Sequence, residues 1–89
     1  MPPANGLTAH DVARNASRAI TDLTGHDAET VVSIERDEDG WEIGVEVLET
    51  RRIPDTADIL ATYLTRLDDD GELRSYRRTS RHTRGTCDR

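Results

Sequence analysis

Lysine and phenylalanine are absent from this 89-residue chain, cysteine and methionine occur once each, and only three residues are aromatic. Each scarcity excludes something. A single thiol, Cys87, forms no internal disulfide and cannot share a thiolate zinc site with a second cysteine. No apolar run exceeds three residues, far short of the roughly 20 that a membrane helix needs. The opening MPPANGLTAH has neither a basic start nor an apolar stretch, so no signal peptide is expected and the cytoplasm is the expected location. Leucine, isoleucine and valine together supply 17 of the 89 residues. A chain this short buries only about 60–65% of its unfolded surface. With a net charge of −6 the composition borders the disordered class, and a small domain that leans on partners is expected.

What is present is unevenly placed. All 12 basic residues are arginine. Residues 1–26 are neutral, residues 27–72 carry fifteen acids against four arginines, and residues 73–89 carry six arginines against one acid. An acidic body thus ends in an arginine strip of Arg74, Arg77, Arg78, Arg81, Arg84 and Arg89. Clustered guanidinium groups seek carboxylates, phosphates or aromatic faces. Three uses of the strip stay open at this point: pairing with the chain's own acids, an acidic protein partner, or nucleic acid. Against the last, the acidic body repels a polyanion at short range.

The order of elements is legible. Thr8 with Asp11 three residues on reads as a capping box. Val12, Ala16, Ala19, Ile20 and Leu23 then form one helical stripe, and Gly25 is a stop; a helix is predicted over 8–24. Residues 29–37 read as a strand through Val31, Val32 and Ile34, and Asp37–Gly40 as a turn. Trp41, Ile43, Val45 and Val47 alternate with Glu42 and Glu46 as a half-buried strand, with Trp41 on the core face and Gly44 marking a bulge or a close backbone approach. Pro54 makes 51–55 a connection. Ile59, Ala61, Tyr63, Thr65 and Leu67 alternate again, with Leu60 and Leu64 on the other face; a central strand or a contact surface would account for both faces being apolar. Asp68–Gly71 repeats the acidic turn, and a last strand runs from Glu72 to about Thr83. The predicted class is α+β: one N-terminal amphipathic helix packed on a three- to four-stranded antiparallel sheet. Residues 7–83 form a single domain in this reading, with flexible ends at 1–6 and 84–89.

Catalytic chemistry finds little to stand on. His10, His26 and His82 lack metal-ligand spacing, and neither acidic turn has the ligand positions of a calcium loop. There is no phosphate-cradling glycine loop and no nucleophile elbow. No enzyme, metal or cofactor is expected.

The strings Gly40-Trp-Glu-Ile-Gly-Val-Glu-Val-Leu-Glu49, Arg52-Ile-Pro-Asp-Thr56, Asp58-Ile-Leu-Ala-Thr-Tyr63 and Leu67-Asp-Asp-Asp-Gly-Glu-Leu73 follow one another in this order, with Tyr76, Arg78, Arg81 and Arg84 after them. Together they resemble the gas vesicle protein O family, over about residues 20–84. Leu64 departs from the charged residue the resemblance leads one to expect, and His82 from an aromatic. The resemblance implies a cytoplasmic, non-enzymatic accessory protein needed for gas vesicle formation, without a cofactor. It would act on or with the shell protein and other accessory proteins, either as a chaperone-like adaptor or as a minor component of the vesicle. A nucleic-acid-binding regulator using the arginine strip is the alternative. The expected partner-binding residues are Arg52, Ile53, Pro54 and Asp55 in the exposed connection, Leu60 and Leu64 on the two-faced strand, and Arg78, Arg81 and Arg84 toward acidic surfaces.

Overall fold

A computed structural model describes residues 8–85; segment 1–6, Cys87 and Arg89 lie outside the described residues. Helix α1, Ala9–Thr24, starts where the capping box places it. The Asp11 amide donates to Thr8 Oγ1 at 3.1 Å and the Thr8 amide donates to Asp11 Oδ2 at 3.2 Å, satisfying two of the donors a helix start leaves unpaired. The helix ends at Gly25, whose φ of 77° is open to glycine without strain. Its buried stripe is Val12, Ala13, Ala16 and Ile20. Ala13 takes the place expected for Leu23, which the last turn leaves 55% exposed, outside the core cluster.

Four strands follow: β1 Asp27–Asp37, β2 Gly40–Thr50, β3 Ile59–Asp68 and β4 Leu73–Thr83. They form one antiparallel sheet in the order β1-β2-β3-β4. The α+β arrangement is therefore as the pattern implies, with four strands. Period-two alternation turns Ile43, Val45, Val47, Ala61 and Leu67 toward Val12, Ala16 and Ile20, and this group is the core. Thr65 is buried among them, its hydroxyl donating to the Ile43 carbonyl at 2.8 Å. Trp41 and Tyr63 pack on the edge of the same cluster.

Both acidic turns are built alike. Asp37 Oδ1 accepts the amides of Asp39 and Gly40, and Asp68 Oδ1 accepts those of Asp70 and Glu72. Each aspartate thus closes its own turn. Gly44 marks a close approach: β1 bulges opposite it between Val31 and Ser33, and a Cβ there would stand 2.5 Å from Ser33 Oγ. β3 lies between β2 and β4, and on its face away from the helix Leu60 is buried beside Leu48. Past the predicted end of the last strand, the Arg84 amide donates to the Asp58 carbonyl at 2.8 Å and the Gly85 amide to the Thr56 carbonyl at 2.7 Å, so these two residues of the expected flexible end 84–89 are bonded to the connection before β3.

Candidate docking surface

The connection between β2 and β3 is an exposed stretch that the sheet holds at both ends. Residues 51–56 are all exposed, and Ile53 is 100% so. Pro54 introduces a short 3-10 turn, Asp55–Ala57. The turn is anchored from beneath by Asp58, only 1% exposed. One Asp58 carboxylate oxygen accepts the Arg52 amide at 2.6 Å and the other accepts Arg84 Nε at 3.2 Å. The Arg52 amide, with help from the Arg84 guanidinium, outweighs burial and holds the Asp58 carboxyl below its ordinary value. Arg84 also donates to Glu29 Oε2 at 2.9 Å. It therefore ties β1 to Asp58, the residue just before β3. The apolar tip of the loop, Ile53, is carried on a framework fixed at both ends.

A second carboxylate organises the arginine strip. Glu49 accepts Arg78 Nη1 at 2.8 Å and Arg81 Nε at 2.9 Å, with its own side chain 9% exposed. Burial pushes the Glu49 carboxyl up, but the two arginine hydrogen bonds outweigh it and hold it below the ordinary value. Two cations around one anion leave this surface positive, and both guanidinium groups are half-exposed. Tyr63 and Tyr76 stand nearby as a tilted pair, ring centroids 6.0 Å apart.

The expected site residues therefore separate. Arg52, Ile53, Pro54 and Asp55 are together on the exposed loop. Arg78 and Arg81 are together on Glu49. Arg84 is engaged within the chain by Glu29 and Asp58. Leu60, offered as a contact, is 4% exposed and pairs with Leu48, so it is a packing residue; Leu64 is half-buried opposite Gly44. Of the three uses left open for the arginine strip, pairing with the chain's own acids is realised for Arg74, Arg78, Arg81 and Arg84. The organising residues Glu49 and Asp58 do not stand out in the sequence as site residues. A signal existed for Glu49: carried two residues past Val47, the alternation puts a carboxylate on the apolar face, where it must find a cation. Among the described residues no His, Cys, Asp and Glu side chains gather as a metal site, and no helix is long and apolar enough to cross a membrane.

Comparison with known proteins adds a family. The profile of Gas vesicle synthesis protein GvpO matches residues 2–88. The chain is 53% identical over 78 residues to a Streptomyces protein named Gas vesicle protein O, covering 88% of this chain and 61% of that protein. It is 36% identical over 84 residues to Gas vesicle protein O1 of Halobacterium salinarum, covering 94% of this chain and 71% of the other. Gas vesicle protein O of Haloferax mediterranei is 32% identical over 84 residues, covering 93% and 60%. The chain thus spans about three fifths of the Streptomyces and Haloferax proteins. No solved structure matches.

Proposed function

Because this chain belongs to the GvpO family of gas vesicle synthesis proteins, we propose that it is a non-enzymatic accessory protein required for gas vesicle formation. It works in the cytoplasm as an assembly adaptor, a chaperone-like partner of other gas vesicle proteins, the shell protein among them. The observation that carries this reading is Ile53, a fully exposed isoleucine on a loop whose Arg52 amide is tied to the buried Asp58. A large apolar side chain presented on a preorganised loop costs little further ordering when it enters a partner's pocket. Arg52, Pro54 and Asp55 frame it. The Arg52 guanidinium makes no ion pair among the described residues, and it favours an acidic rim around that pocket. Arg78 and Arg81, still half-exposed beside Glu49, extend the same preference along β4, and Leu64 adds apolar surface on the opposite face.

The test is affinity capture from cells that form gas vesicles, with and without nuclease. Wild-type chain is expected to retain vesicle proteins after nuclease treatment. Ile53→Ser should lose most of that capture while its thermal stability stays within about 0.5 kcal/mol of wild type, as for surface substitutions generally. Recovery of nucleic acid with no vesicle protein would overturn the adaptor and favour a regulator. Undiminished capture by Ile53→Ser would remove the loop from the docking surface.

A further inference from the structure

Among the described residues the sheet has two open edges, and they carry opposite charge. β1, at one edge, holds Asp27, Glu29, Glu35 and Asp37 against a single cation, Arg36. β4, at the other, holds Arg74, Arg77, Arg78, Arg81 and His82 and no acid. An open edge is a template for another strand, and proteins guard such edges with charge, bulges or short strands. Here both edge strands run to 11 residues. The guarding charges differ in sign, so β1 against β1 and β4 against β4 repel while β4 against β1 attract.

The geometry of that one permitted pairing is favourable. In the order β1-β2-β3-β4 with every neighbour antiparallel, β1 and β4 run in opposite directions. A β1 strand from a second copy laid beside β4 therefore continues the same antiparallel ladder. Two rows of the existing register run Ile34–Ile43–Thr65–Tyr76 and Ser33–Gly44–Leu64–Arg77. Continued without shear, they set Tyr76 beside Ile34 of the second copy, and Arg77 beside its Ser33 and diagonal to its Glu35, within reach of a long side chain. Ile34 and Tyr76 are 43% and 40% exposed in the single chain. Both lie in the row of Ile43 and Thr65, on the core side of the sheet. Next to Ile34 a groove of about 540 Å³ opens between α1 and β1, lined by Ala13, Ser17, Val31 and Ile34 with His10 and Arg14 beside them. It can receive an aromatic ring. On the opposite face, Glu35 and Arg77 make no ion pair among the described residues, unlike Arg78, Arg81 and Arg84.

We propose that copies of this chain associate head to tail, β4 of one pairing with β1 of the next, with Tyr76 seated against Ile34 and Arg77 answering Glu35. A contact of this kind uses two different surfaces and leaves one of each unused in a pair, so copies add beyond two, in a row or in a ring. It is independent of the adaptor reading.

Sedimentation of the full chain over a range of concentrations tests it. At low salt the mass should climb past that of a dimer as concentration rises, and at high salt it should return toward the 10.0 kDa of one chain. Arg77→Glu alone and Glu35→Arg alone each set like charges together and should abolish association, with circular dichroism unchanged. Mixing the two variants brings opposite charges together at every contact and should restore association. A wild-type chain that stays monomeric, or that stops at a dimer, would overturn the proposal. So would single variants that associate like wild type, or a mixture that does not recover.

Discussion

Asp58 is a residue whose work is done entirely at a distance from any partner. Its two oxygens and its carbonyl hold the Arg52 amide, the Arg84 guanidinium and the Arg84 amide, so one buried carboxylate closes the loop and fixes the end of β4. Asp58→Ala leaves the Arg52 amide and the Arg84 guanidinium without their carboxylate acceptors, while the backbone carbonyl that accepts the Arg84 amide remains. The hydrogen-bonded loop amides of Arg52 and Ala57 should then exchange with solvent faster than in wild type, while core amides such as those of Val45 and Ala61 hold their protection. Capture of vesicle proteins should fall as well, although Asp58 presents no surface of its own, because Ile53 is no longer held ready. Asp58→Asn keeps an acceptor for Arg52 but loses the charge that faces Arg84, and should lie between the two. Hydrogen exchange read residue by residue checks the first expectation. Unchanged exchange in the loop would show that it is held by something other than Asp58.

The elements follow from local pattern almost throughout, and the departure at the end of the helix is instructive. Helical spacing places Ile20 and Leu23 on the same stripe, yet Ile20 is fully buried and Leu23 is 55% exposed. Period alone does not say which turn of a helix runs past the apolar side chains beneath it. Ile20→Ala should therefore cost about 2–5 kcal/mol, as for other buried large-to-small changes, which is enough to unfold much of a domain with so thin a core. Leu23→Ala should stay within about 0.5 kcal/mol; chemical denaturation of both variants checks the contrast. The helix, the two acidic turns and the core faces of β2 and β3 are legible because capping, turn chemistry and alternation act within a few residues. The docking surface is less so. Glu49 meets Arg78 and Arg81 across 29 and 32 residues, and Arg84 meets Asp58 and Glu29 across 26 and 55. Such pairings depend on strand order and register, which no local pattern carries. Whether an arginine in the strip is engaged or free could be read only after the sheet was assembled.

At the scale of the whole molecule, charge is held in balance by carboxylates that the fold makes more acidic. Asp11 is lowered from 3.8 by the Thr8 amide, Asp37 from the same value by the Arg66 guanidinium, and Asp58 by the Arg52 amide. Glu49, despite burial, is lowered from 4.5 by Arg78 and Arg81. Each group is more acidic folded than unfolded, so below its ordinary value the unfolded chain binds more protons than the folded one. The stability these groups contribute is complete above the unfolded values and is lost as pH falls through the lower, folded ones. The same protonation turns a net charge of −6 into an excess of arginine and histidine cations that repel one another. The thermal midpoint should therefore hold steady from neutral pH down to the region of 4.5, then fall continuously as the pH is lowered further. Glu49→Gln has already lost its share and should start lower at neutral pH but decline less steeply, so that the two curves converge in acid. A series of melting curves from neutral pH to well below 3.8 decides the matter. Parallel curves for wild type and Glu49→Gln would mean that the Arg78–Glu49–Arg81 cluster holds no more of the fold together in neutral solution than in acid, and so that the Glu49 carboxyl is no more acidic in the folded chain than in the unfolded one.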